Sequence, residues 1–213
     1  MAGGKLRTAR PKGNAVLRKL IQPIFDTTVL EGNPAVVNQL QFYRIPKGGA
    51  MPVAGGIKSE ADTNLNKAGA IGAPDFFLLE GFQFEWFILE PDDVDDTADD
   101  LVDLYEQSLF TFEFGLNRIW YQFPLSQLPC GPNVTGTAAS GDITNNTEWG
   151  HLHQGIASVH QSYSVLVDKE PVEIGSEEPF NVRIDWTNGA ITFDSANDQR
   201  CRMFMLGMLC TGL

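Results

Sequence analysis

Residues 180–193 read Phe-Asn-Val-Arg-Ile-Asp-Trp-Thr-Asn-Gly-Ala-Ile-Thr-Phe. Apolar and polar side chains alternate over 180–186, which is the pattern of a strand with one buried face. Asn188 and Gly189 tolerate the positive φ angles of a type I′ turn, so they predict a hairpin between this strand and residues 190–193. The stretch therefore predicts antiparallel β-structure.

The same character extends over most of the chain after Pro23. Short apolar or alternating runs are separated by turn residues, which is typical of an all-β sandwich. Over 81–89, Gly-Phe-Gln-Phe-Glu-Trp-Phe-Ile-Leu alternates at first and then becomes continuously apolar, as in a strand buried first on one face and then on both. The predicted strands are 36–45, 76–89, 109–123, 162–167, 180–186, 190–193 and 202–209.

The chain has 213 residues, enough for one substantial core, so we expect a single domain at 26–213 preceded by an arm at 1–25. The arm holds six of the 15 basic residues and no acidic residue, since the first acid is Asp26. The rest of the chain has nine basic residues against 27 acidic ones. This asymmetry favours contact between the arm and an anionic surface or a neighbouring subunit. The six arm cations are Lys5, Arg7, Arg10, Lys12, Arg18 and Lys19.

Part of the arm has helical spacing. Its apolar residues Val16, Leu17, Leu20 and Ile21 would form one face of a short amphipathic helix, with Arg18 and Lys19 on the other side. Such a helix can lie on a membrane, dock on a partner or pack back on its own domain.

The three cysteines, Cys130, Cys201 and Cys210, have neither the spacing of a zinc site nor the even number of a disulfide framework. We therefore expect buried thiols in a reducing compartment.

The N-terminal residues lack the apolar core of a secretory signal, and no run approaches the ~20 apolar residues of a membrane-spanning helix. These features favour synthesis in a cytoplasm.

Seven aspartates lie between Pro91 and Asp103, but this segment has no Gly and lacks the ligand spacing of a calcium loop. Thr97 followed by Asp100 instead resembles a helix N-cap, so a short helix is predicted near 97–107.

Two long polar loops, 46–74 and 128–161, are expected to carry contacts to partners.

The strongest candidate for chemistry is Gly150-His-Leu-His-Gln154, with His160 seven residues after His153. In a strand, His151 and His153 would project to one face and could bind one metal ion. This resembles the histidine pair of the cupin family, although the glutamate and the third histidine of that pattern are missing. A cupin-like metal-binding protein or enzyme using His151, His153 and His160 is one alternative function.

The sequence contains no GxSxG, P-loop, GxGxxG or HExxH motif, so we predict no catalytic residues, no cofactor and no small-molecule substrate. The arm lacks interleaved aromatic residues, so its contacts with nucleic acid would be with phosphates and independent of sequence. Anionic lipid headgroups would satisfy the same charges. A sugar-binding spike or fibre domain using Trp149 and the Asn-rich loops is a further alternative.

The order of features resembles the single jelly-roll capsid proteins of tailless icosahedral viruses of bacteria and archaea. The resemblance is one of layout, carried by the basic arm, Phe25-Asp-Thr-Thr, Gln41-Phe-Tyr-Arg-Ile-Pro, a helix-like 101–108, Tyr121-Gln-Phe-Pro-Leu125 and a closing strand set at 179–213. It implies a single jelly-roll β-sandwich that assembles with itself into capsomers. It also implies other capsid or vertex proteins as partners, and an arm that meets neighbours, genome or an internal membrane. The expected location is the virion capsid, assembled in the host cytoplasm.

Overall fold

A computed structural model describes residues 18–30, 35–51, 56–88, 104, 106–115, 118–128, 171–193 and 198–211. Eleven strands lie in these ranges, with one 3-10 turn at Leu125–Gln127. None of the described helical residues belongs to a helix long and apolar enough to cross a membrane. The strands are β1 Arg18–Ile21, β2 Ile24–Leu30, β3 Ala35–Val37, β4 Gln39–Phe42, β5 Phe76–Ile88, β6 Ser108–Phe114, β7 Arg118–Pro124, β8 Val172–Ile174, β9 Phe180–Trp186, β10 Ile191–Phe193 and β11 Gln199–Thr211.

The first sheet is antiparallel and is built around the long strand β11. One edge of β11 pairs with β5, which pairs in turn with β8, and the other edge pairs with both β1 and β2. Arg18 pairs with Thr211 and Leu30 with Gln199 in one unbroken register, so β1 and β2 form a single edge interrupted only at Gln22 and Pro23.

The second sheet has the order β4-β9-β6-β7 and is also antiparallel. In β9 the side chains of Phe180, Val182, Ile184 and Trp186 are buried, while those between them are half-buried. This is the period of two expected for a strand with one face on a core. The all-β class predicted from the sequence is therefore confirmed.

Aromatic rings join the two sheets. Phe82 of β5 lies 4.9 Å from Phe110 and 5.0 Å from Phe112 of β6, measured between ring centroids. Phe42 of β4 meets Phe84 of β5 edge to face at 6.4 Å. These five rings are fully buried, so the core lies between the facing sides of the two sheets.

The predicted hairpin at Asn188 and Gly189 is wrong. Both edges of β9 are already occupied, by β4 and β6, and β10 pairs instead with β3 in a separate two-stranded sheet. Gly189 has a φ of 104°, but Asn188 is not among the described residues with positive φ, which a type I′ turn requires. Since β3 directly precedes β4, strands β9 and β10 run along one continuous partner, and residues 187–190 form a turn within that path.

The predicted strand at 109–123 is two strands. Gly115, with a φ of 73°, ends β6, and β7 pairs back antiparallel on it. The predicted strands at 76–89 and 180–186 correspond closely to β5 and β9, and those at 36–45, 190–193 and 202–209 overlap β3 and β4, β10 and β11. The predicted strand at 162–167 lies outside the described residues.

The amphipathic helix predicted in the arm is wrong for residues 18–21. These residues form strand β1 because the edge of β11 supplies partners for their backbone groups. Of the helix predicted near 97–107, Leu104, Glu106 and Gln107 are helical and Leu104 is buried, whereas 97–103 and 105 lie outside the described residues.

Candidate functional site

The edge strands β2 and β4 adjoin on one side of the molecule, and a buried ion pair lies between them. The Asp26 carboxylate projects from β2 into the interior and is fully buried. Its Oδ1 accepts a hydrogen bond from Lys58 Nζ at 2.5 Å, and its Oδ2 accepts one from the Tyr43 backbone N–H at 2.6 Å. Burial raises the pKa of Asp26, and the charge of Lys58 and these hydrogen bonds only partly offset that rise.

Tyr43 is held in an unusual backbone conformation immediately after β4. Its φ is 64°, in a region that non-glycine residues seldom occupy. Three contacts fix it beside the bond to Asp26. Its hydroxyl donates to the Met203 carbonyl at 2.8 Å, its own carbonyl accepts from Gly69 N–H at 2.7 Å, and its ring lies 5.6 Å from Phe180. Burial, with the nearby Asp26 charge, raises the pKa of its hydroxyl well above the ordinary value.

The loop between β4 and β5 covers part of the outer edge of β2. Thr27 N–H donates to the Asp62 carbonyl at 2.8 Å, and Asn64 Oδ1 accepts from Phe25 N–H at 3.0 Å. The Asp62 carboxylate accepts bonds from the Ser59 N–H and hydroxyl and pairs with Arg200 at 3.3 Å. The sequence predicted that loop 46–74 carries contacts to partners. Several of its described residues instead bond to β2 and β11 of the same chain.

A cleft of about 170 Å³ remains where the loop leaves the edge of β2. Thr27, Thr28 and Val29 line it from β2, and Gln41 and Arg44 line it from β4 and the residues that follow. Lys58 contributes to its wall, but its charge is matched by Asp26. Among the described residues that line the cleft, Arg44 is therefore the cation without an acidic partner.

A second polar cluster lies on the side of the second sheet away from the core. Arg183 Nε donates to Asp185 Oδ2 at 2.6 Å, and its NH1 contacts Glu113. Asn181 donates to Glu113 at 3.2 Å, and Gln39 of β4 contacts Asp185. These side chains cross-link β4, β9 and β6, so the cluster stabilises the sheet.

The residues expected to contact an anionic surface are only partly described. Arg18 and Lys19 are exposed on β1, Leu20 is half-buried and Ile21 is 88% exposed. The other predicted arm residues, Lys5, Arg7, Arg10, Lys12, Val16 and Leu17, lie outside the described residues.

The predicted metal ligands His151, His153 and His160 also lie outside the described residues, as do Trp149 and most of the loop 128–161. Among the residues that the structure does describe, no group of three or more His, Cys, Asp or Glu side chains is arranged to hold a metal ion. Cys201 and Cys210 are buried free thiols, and burial raises the pKa of Cys201 above its ordinary value.

The buried pair of Asp26 and Lys58 was not predicted from the sequence. Phe25-Asp-Thr-Thr interrupts the apolar alternation of β2, and this interruption was its only local signal. Lys58 lies 32 positions away in a loop whose path the sequence does not give.

Comparison with known proteins gives no further assignment: no family model matches the chain, and no curated protein or solved structure is significantly similar to it.

Proposed function

We propose that the two sheets form a single jelly roll. The pairing order supports this. Strands β1 and β2 together, β3 and β4 together, β5 and β6 make four successive segments of the chain, and they pair in reverse order with four later segments. The pairs are β1 and β2 with β11, β3 and β4 with β10 and β9, β5 with β8, and β6 with β7. This is one long antiparallel ribbon. Further pairing of β11 with β5 and of β9 with β6 rolls the ribbon into two sheets, as in an eight-stranded jelly roll.

We propose further that the protein is a viral capsid subunit that assembles with itself into an icosahedral shell around a genome, with or without an internal membrane. The fold alone does not decide this, because jelly rolls also occur in lectins and cupins. The supporting observation is the surface at β1. There the outer edge of β1 has no partner strand among the described residues, and β1 also carries the exposed cations Arg18 and Lys19 and an 88% exposed Ile21.

This surface suits assembly for a physical reason. An unpaired strand edge offers backbone donors and acceptors to another chain, and a large exposed apolar side chain gains free energy when it is covered. The basic residues add attraction to acidic neighbours, genome phosphates or anionic headgroups. A second copy of the acidic body is therefore a suitable partner, and repeated contacts between identical chains can close a shell.

The test is particle formation by the full chain and by a variant lacking residues 1–17, which keeps β1. Electron microscopy of the expressing cells and of the purified protein should show closed particles for the full chain and none, or malformed ones, for the variant. Circular dichroism of the variant controls for folding. Normal particles from the variant would contradict an assembly role for the arm.

A further inference from the structure

Arg44 is an exposed cation without a partner in the described part of the chain. No ion pair or hydrogen bond joins its guanidinium to another described residue. Lys58, the other described cation that lines the cleft, is by contrast paired with Asp26. The Arg44 guanidinium is thus available to an external anion.

The outer edge of strand β2 also lines this cleft, at Val29. The backbone N–H groups of Phe25 and Thr27 point away from β11, since they donate hydrogen bonds to Asn64 and Asp62 of the loop. The two-residue period of a strand points the N–H and C=O of Val29 in the same direction. No described loop residue hydrogen-bonds to Val29, so within the part of the chain that the structure describes the edge of β2 is covered at 25–27 and has no partner at 29.

The size of the cleft limits what can enter. About 170 Å³ is well below the roughly 300–1,000 Å³ of pockets that hold cofactors or drug-sized ligands. It has room for an anchoring side chain rather than for a whole organic ligand. The Thr28 side chain and Gln41 add polar groups to its wall.

We propose that this cleft is a docking site for an extended peptide segment that carries an acidic side chain. The segment adds to the open edge of β2 by exchanging backbone hydrogen bonds with Val29, and its carboxylate pairs with Arg44. Strand addition supplies affinity through the main chain, and one charged pocket supplies specificity. A guanidinium can hold a carboxylate through two parallel hydrogen bonds, which favours an acidic residue over a polar neutral one. The proposal does not depend on assembly into a shell.

The experiment uses the full chain and a fluorescent, end-blocked pentapeptide, Val-Thr-Asp-Thr-Val, with its Asn counterpart. Fluorescence anisotropy should show saturable binding of the Asp peptide and binding about tenfold weaker or worse for the Asn peptide. Arg44→Gln should weaken binding of the Asp peptide by a similar factor. Arg118→Gln, which removes an exposed cation from β7, is the matched control and should leave binding unchanged.

A second variant tests the backbone contact. Proline is tolerated on an edge strand where its missing N–H would point outward, so Val29→Pro should keep the fold and abolish peptide binding, whereas Val29→Thr should retain both. Thermal melting confirms that each variant is folded. Equal affinity for the Asp and Asn peptides, or unchanged binding to the Arg44→Gln variant, would overturn the proposal. Inorganic phosphate that binds Arg44 more tightly than the peptide would also overturn it, by showing a site for free anions.

Discussion

Asp26 and Lys58 form an ion pair in the interior of the described part of the protein. Both side chains are almost completely removed from water, at 1% and 4% exposure. Breaking a buried pair by removing one charge typically costs about 3–5 kcal/mol, because the other charge stays buried without compensation. We expect Lys58→Met to lower the free energy of unfolding by about that amount, measured by urea denaturation.

Two further variants show whether the loss of stability in Lys58→Met comes from the unpaired charge of Asp26 or from lost side-chain packing. Lys47→Met removes the exposed partner of Glu60 and should have a much smaller effect, because exposed ion pairs contribute little. The double change Asp26→Asn with Lys58→Met should recover much of the lost stability, since it removes both buried charges while an amide oxygen at position 26 can still accept the hydrogen bond from the Tyr43 N–H. A double variant no more stable than Lys58→Met would contradict this account.

Asp62 should make stability depend on pH in the acidic range. Burial alone would raise its pKa, but hydrogen bonds from Ser59 and the charges of Arg200 and Lys58 outweigh this, so the pKa of Asp62 is lowered. A lowered pKa in the folded state means that its contribution is present above the unfolded value of about 3.9 and is lost as pH falls through the folded value. We therefore expect Asp62→Asn to be less stable than the natural protein at neutral pH, by about 1–2 kcal/mol.

The measurement is the free energy of unfolding of both proteins across the acidic range. Their difference should shrink as pH falls below the unfolded pKa of an aspartate. A difference that stays constant across that range would show that the Asp62 charge does not contribute.

Among the strands, β11 depends on a close approach to β5 at Gly207. A Cβ atom at this position would overlap the carbonyl oxygen of Leu78, next to the register shift between β11 and β5. The β11 backbone cannot move freely here, because it pairs with β5 on one edge and, on either side of Gly207, with β2 up to Met205 and with β1 from Met208 on the other edge. We expect Gly207→Ala to lower the free energy of unfolding by about 1–3 kcal/mol. Gly72→Ala is the control, since a Cβ there meets nothing within 4 Å and its φ is not positive. Equal effects of the two substitutions in urea denaturation would contradict the steric argument.

The strands that sequence predicted well are those whose apolar period is regular. β9 was predicted with its observed bounds because Phe180, Val182, Ile184 and Trp186 all face the core. β2 was missed because Asp26 occupies an inward position, and its burial depends on Lys58, a residue distant in sequence. β1 was predicted as a helix because the local spacing of Leu20 and Ile21 carries no information about the open edge of β11. The hairpin at Asn188 and Gly189 failed for the same reason, since long-range pairing of β9 with β4 and β6 overrides a local turn signal.

At the scale of the whole molecule, the described strands form antiparallel sheets, and the short strand β1 lies at the edge of the first sheet. Because β1 shares one register with β2, residues 18–21 belong to the first sheet, and we therefore propose that a removable arm would end before residue 18. Removing residues 1–17 should leave the melting temperature almost unchanged. Removing residues 1–22 also uncovers β11 at 208–211, so it should lower the melting temperature and promote aggregation through the exposed edge. Identical melting and solubility of the two truncated proteins would contradict the placement of β1.

We propose that this chain is a repeated subunit of a closed shell. Electron cryomicroscopy of the full-length protein, expressed and purified without denaturation, tests it most directly. We predict closed particles whose lattice is built from many copies of the two-sheet domain, with β1 at or near a contact between copies. A protein that stays a monodisperse monomer at all concentrations and salt conditions, with no particles in the expressing cells, would contradict the claim.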